Sequence, residues 1–207
     1  MMRRVVNASS ATRRTARALF DDIEGMAAAE LALILPIALA LMALIVYGGQ
    51  CYGVQRKVTL SAMTVANIFT QGNNTGQPTV TTAELNQILA YPSLILYPNN
   101  ATGIAVEVSQ LLLTSNNNGT VTGTVCGSWA NSNGTARPIG QTMSVDPDIA
   151  AAFTGAAASY VILGEVQYPF TPPAFYLATG TLTLHDSIMM IPRTAAEIAV
   201  QGATPPC

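Results

Sequence analysis

Residues 26–46 read MAAAELALILPIALALMALIV, and whether this run is core or membrane span decides the architecture of everything around it. Its length is about the 20 residues a helix needs to cross a hydrocarbon layer. Pro36 is tolerable in such a helix, because neighbouring helices or local adjustment satisfy the carbonyl it frees. Glu30 is the residue out of place: a carboxylate at the centre of a membrane helix costs roughly 2.5–3.5 kcal/mol on insertion scales. A secretory signal with Ala38-Leu39-Ala40 as its cleavage site is the competing reading. The apolar run continues past it through LMALIV, which fits an uncleaved anchor better.

Charge is distributed unevenly around this run. Five of the nine basic residues, Arg3, Arg4, Arg13, Arg14 and Arg17, precede it. The positive-inside rule therefore predicts a cytoplasmic N-terminus and an exported remainder. Beyond residue 50 only Arg56, Lys57, Arg137 and Arg193 face seven acids. No basic surface for nucleic acid can be assembled from them. Lipid and protein are the expected partners. Three cysteines, Cys51, Cys126 and Cys207, would lie in an oxidising compartment where disulfides persist. A Cys126–Cys207 bridge pinning the tail is the favoured pairing, with Cys51 free or intermolecular. The other pairings and three unpaired thiols stay open.

Residues 1–24 are polar and basic with no apolar periodicity, and read as a flexible leader. After the apolar run, Val54, Val58, Val65, Ile68 and Phe69, with Ser61 and Ala62 between, approach a 3.6-residue stripe. One long helix is expected, interrupted near Gly48–Gly49, whose outer half lays an apolar face on the rest of the chain. QGNNTGQP ends it. TTAELNQILAYP predicts a capped helix beginning at Thr81 or Thr82 and stopping before Pro92. GIAVEVSQLLLTSNNNGTVTGTVCGSWA predicts two strands around Asn118-Gly119, a strong hairpin signal. Asn133-Gly134 turns the chain again, and a short helix follows Asp146. YVILGEVQYPF and GTLTLHDSIMMIP are strand candidates. The expected fold class is α+β: a helix half in the membrane, packed on an antiparallel sheet of about four strands.

Catalytic signatures are sparse. His185 is the single histidine; a serine triad through it and Asp186 would need an elbow motif that is missing. Gly72, Gly76, Gly119 and Gly123 fit no phosphate loop. Asp146 and Asp148 flank Pro147 as in a turn or helix cap. Sequons at Asn73, Asn100, Asn118 and Asn133 sit in turn-rich sequence that accounts for their Asn and Thr without sugar. The expectation is a protein without catalytic residues, metal ligands or cofactor.

A basic leader, then Gly25, then Met-Ala-Ala-Ala-Glu, then a continuous apolar helix resembles the N-terminus of type IV prepilins. More narrowly it is similar to the TadE-like pseudopilins of the Tad (Flp pilus) system. TVANIFTQ resembles that family's post-membrane helix, and VQYPFTPPAFYLATGTLTLHDSIMMIPR, ending in Pro192-Arg193, its closing pattern. The resemblance covers both ends of the chain; residues 75–158 match nothing comparable. The family usually has an aromatic residue after the glutamate, where this chain has Leu31.

The resemblance implies cleavage by a prepilin peptidase between Gly25 and Met26, with Glu30 and Leu31 recognised by the peptidase or during assembly. Glu30 would then be the fifth residue of the mature chain, about 6 Å along its helix at 1.5 Å per residue. It would meet the freed amine of a neighbouring subunit, an attraction far stronger at low dielectric than in water. The implied domains are a cleaved leader (1–25), a transmembrane helix (26–47), its extramembrane continuation (48–72) and an exported β-rich domain (73–207). The implied setting is a bacterial inner membrane, with the C-terminal domain periplasmic and with other pilins and Tad assembly proteins as partners in adherence or secretion.

Overall fold

A computed structural model describes residues 23–72, 78–115, 119–153, 159–171, 180–193 and 197–203, with side chains from Met26 onward. Residues 1–22, Asn73, Asn118, residues 172–175 of the TPPAF loop and Cys207 lie outside the described residues, and the last residues of the leader, expected to be flexible, are already helical. The chain divides into two compact units, Met1–Gly49 and Gln50–Cys207.

Helix α1 runs from Ile23 to Phe69 without a break, 47 residues that include Pro36. The expected interruption at Gly48–Gly49 does not occur: both glycines are helical and exposed. Two glycines lower helix propensity by about 1 kcal/mol each, which the leucine- and alanine-rich turns on the preceding side offset. In the first unit the described side chains are exposed nearly throughout. Among the described residues one helix is long and apolar enough to cross a membrane.

In the second unit the same helix changes character. Val54, Val58, Ala62, Val65, Ala66 and Phe69 are buried on one side. The helix ends at a turn in which Gly72 N–H bonds the Phe69 carbonyl at 3.1 Å and Gly72 takes a φ of 73°, a region glycine enters without steric cost.

Strand β1 (Thr79–Val80) precedes helix α2 (Thr82–Ile95). Of the two expected N-caps, Thr81 is the one used, and with Glu84 it forms a capping box, each side chain bonding the other's backbone N–H and so satisfying two orphan donors. The helix does not stop before Pro92 but carries it inside. Proline removes one N–H bond and crowds the preceding turn. Here the break falls in the last turn, Pro92 is buried in the core, and the Leu96 N–H still reaches the Pro92 carbonyl at 3.1 Å. Lys57 of α1 donates to the Tyr97 carbonyl at 2.8 Å. A cation at this end complements the helix dipole, and α2 has no basic residue of its own there.

Five strands form the main sheet: β2 (Ala105–Ser115), β3 (Val121–Ala130), β4 (Thr142–Ser144), β5 (Ser159–Phe170) and β6 (Leu182–Met190), in the order β4-β3-β2-β5-β6. All pairings are antiparallel. The expectation of about four strands misses β4, a three-residue edge too short to show alternation. Helix α3 (Pro147–Ala152) starts at the N-cap Asp146, as expected, with Asp146 accepting from the Asp148 N–H. Strand β7 (Ala199–Val200) pairs in parallel with β1.

Alternation along the strands makes two faces. Val106, Val108, Ile162, Val166, Tyr168, Phe170 and Leu184 face the outer half of α1 and α2 in one core. Leu111, Leu113, Val125, Val161 and Leu163 point the other way into a smaller core under Ile149 and Phe153 of the α3 segment. The buried Gln110 accepts the Ile198 N–H at 2.9 Å, tying the chain beside β7 to the sheet.

Candidate functional site

Two sets of residues carry the polar chemistry that the fold does not use for packing. The first lies in the first unit. Gly25 and Met26 occupy the opening turn of α1, and Glu30 and Leu31 are exposed on it. Among the described residues, Glu30 has no hydrogen-bond or ion-pair partner in its own chain. Every residue from Leu31 to Val46 is apolar, so nothing on that side compensates its charge where water is excluded.

The second set is an ionic cluster on the sheet face turned away from α1. Register sets Glu107 of β2 directly opposite Glu165 of β5, a like-charge pair that destabilises a sheet when left alone. Arg137, from the loop after β3, resolves it. Its Nε lies 3.2 Å from Glu107 Oε1 and 3.0 Å from Glu165 Oε2, and a terminal guanidinium nitrogen bonds the same Glu165 oxygen. Glu107 Oε1 also accepts from Ser109 and Ser128, each at 3.0 Å. The Arg137 N–H donates to Ser128 Oγ at 2.9 Å, which fixes the loop that delivers the guanidinium.

Asn131 and Gly134 aim that loop. Asn131 Oδ1 accepts from the Val106 N–H at 3.1 Å and the Gly134 N–H at 2.9 Å. Any Cβ on Gly134 would sit 2.9 Å from the Val106 carbonyl oxygen, so only glycine fits this turn.

The hydrogen bond that Arg137 donates to Glu165, together with the two nearby carboxylates, pushes the Arg137 pKa up despite its partial burial. A raised cation pKa means that the contribution of the pair is complete below the ordinary arginine value and fades only in extreme alkali. With its guanidinium held by two carboxylates, Arg137 is engaged as a strut across the sheet.

His185 and Asp186 do not form a catalytic pair. Consecutive strand residues point to opposite faces. His185 stands on the ionic face, 3.7 Å from Glu165, whereas Asp186 faces α1 and bonds the Thr59 hydroxyl. Asp186 also accepts from the Ser187 N–H at 2.8 Å, and Gln55 donates to the His185 carbonyl at 3.2 Å. These bonds occupy backbone groups on the outer edge of β6, where an unpaired strand invites intermolecular pairing.

Cys126 is disulfide-bonded and is the extra residue of a bulge, because Gln110 pairs with Gly127 and Leu111 with Val125. Cys51 is a free, partly buried thiol. The expected partner Cys207 lies outside the described residues. No group of three side chains suited to a metal ion occurs among the described residues. Asn100 and Asn133 spend their amides locally: Asn100 Oδ1 accepts from the Thr102 N–H at 3.0 Å, and Asn133 Nδ2 donates to the Ile104 carbonyl at 3.1 Å.

Beside the cluster, a groove of about 600 Å³ runs between the α3 segment and β6. Leu163, Met143, Ile149 and Met189 line it with apolar surface, and Asp146, Asp148 and Glu165 contribute carboxylates. Sequence reasoning missed Glu107, Arg137 and Glu165 altogether. The available signal was a single glutamate inside each of two otherwise apolar strands, AVEVSQLLL and VILGEVQY.

Compared with protein-family models, characterised proteins and solved structures, the chain matches none.

Proposed function

We propose that this chain is a TadE-like pseudopilin, a membrane-anchored structural component of Flp-type pilus assembly. The observation that carries the reading is the junction Gly25-Met26 followed by Glu30 in the first turns of an unbroken helix whose second half seats on an antiparallel sheet. In this reading α1 is pilin-like: residues 26–47 anchor the chain in the inner membrane, and the second unit is periplasmic. Prepilin peptidase cuts after Gly25 and exposes the Met26 amine. Glu30, without a partner among the described residues, then pairs with the amine of a neighbouring pilin or Tad assembly protein. Adherence or secretion follows from assembly, and no catalytic step is assigned to the chain.

Cleavage is the test. Co-expression with a prepilin peptidase should give a mature mass beginning at Met26, and omission of the peptidase should leave residues 1–25 attached. Gly25→Val should block cutting. A chain whose mass never changes is instead a signal-anchored exported binding module, and the pseudopilin reading fails.

A further inference from the structure

We infer that the outer groove of the sheet receives the exposed face of helix α1 from a second copy of the chain. Both surfaces lie in the second unit, and the inference does not depend on cleavage at Gly25. The sheet is covered on one side by α1 and α2; on the other side the α3 segment covers Leu111, Leu113, Val125, Val161 and Leu163. Between that segment and β6 runs the groove, in which Met143, Ile149 and Met189 are half-buried and Asp146 and Asp148 are exposed.

The complementary surface is on α1. Tyr52, Leu60 and Met63 are 72%, 53% and 42% exposed, and Arg56 beside them is exposed as well. Positions 52, 56, 60 and 63 fall at spacings of four, four and three, so they share one helix face. This face lies opposite the buried Val54–Val58–Val65 stripe. One apolar face with a central cation therefore meets one apolar groove with an anionic rim, which is the complementarity that sets register and rejects wrong partners. A second helix on this face would also complete a layered α/β/α packing of the kind sheets with two apolar faces require. The stripe and the groove are different patches on each copy, so the contact is heterologous and extends beyond a dimer unless it closes into a ring.

The test uses the full chain in detergent micelles, with Cys51→Ser to remove the free thiol. Leu60→Cys together with Met189→Cys should give, on mild oxidation, cross-linked dimers and higher species, because within one copy the two positions lie on opposite layers. Arg56→Glu should lower the yield about tenfold, the scale of one close interfacial charge pair. Adding Asp148→Arg to Arg56→Glu should restore it. A double-cysteine chain that remains monomeric overturns the inference. So does an equal yield from Leu60→Cys alone, which would mark a helix-to-helix contact, and so does a yield indifferent to the charge exchange.

Discussion

From Met26 to Gly49, helix α1 exposes leucine, isoleucine and methionine on every side, and Leu33 and Ile45 are both 73% exposed. From Gln50 to Phe69 the same helix buries Val54, Val58, Ala62, Val65 and Phe69 along one side and sets Arg56, Lys57 and Thr59 around the others. The backbone is identical in kind; the surroundings are not. In the first stretch apolarity has no period, so no face is singled out for a protein neighbour. In the second a 3.6-residue period singles out one face, and the sheet meets it. Periodicity, more than hydrophobicity, marks which part of a helix packs on its own chain.

Substitutions in the two stretches should differ sharply, and this is the largest expected effect. Phe69 is fully buried, with its ring 5.5 Å from that of Trp129. Phe69→Ala should destabilise the second unit by about 3–5 kcal/mol, the usual range for removing a buried aromatic ring. Leu41→Ala, on the exposed stretch, should change that unit's unfolding by less than about 0.5 kcal/mol. Thermal unfolding of the full chain in micelles, followed by near-ultraviolet circular dichroism, measures both. Equal shifts would show that the two stretches are not energetically distinct.

What the sequence revealed follows the same division. The stripe of α1, the threonine cap of α2, the Asn118-Gly119 hairpin and the Asp146 cap are local patterns, each written within a few residues. The edge strand β4 escaped because three residues carry no alternation, and its place is set by pairing Thr124 with Thr142. Pro92 inside α2 escaped because its burial is a product of tertiary packing, which no neighbouring residue announces. The Glu107–Arg137–Glu165 bridge was illegible for the strongest reason. It exists only once β2 and β5 pair in one register, and a slip of one residue would turn one strand over and send its glutamate into the helix-facing core.

A smaller effect probes how closely α1 approaches the sheet. A Cβ on Gly164 of β5 would lie 2.9 Å from the Ala62 carbonyl oxygen and 2.9 Å from Ala66 Cβ. The obstacle is helix backbone rather than the end of a flexible side chain, so the helix must move as a body. Gly164→Ala should cost about 1–3 kcal/mol, as overpacking does in tight cores. Ala66→Gly in the same chain should recover part of this loss by removing one of the two contacts, although the glycine itself costs up to about 1 kcal/mol in a helix. If Gly164→Ala is neutral, the helix is not held at the distance the packing requires.

The smallest effect lies at the Val54 end of the same interface and reports through pH. Tyr168 is buried and donates its hydroxyl to the Asn100 carbonyl at 2.7 Å. Burial pushes its pKa above the ordinary tyrosine value, because the phenolate is penalised where water is excluded. The folded chain therefore holds this proton more tightly than the unfolded chain does. The associated stability is complete below the ordinary value of about 10 and is lost as pH rises through the folded value. Tyr168→Phe removes one hydrogen bond and should cost about 1 kcal/mol at neutral pH. It should also reduce the loss of stability seen above about pH 10, while Tyr160, likewise shifted upward by burial and by Glu197, keeps part of it. A variant whose alkaline profile matches the parent would place the titrating group elsewhere.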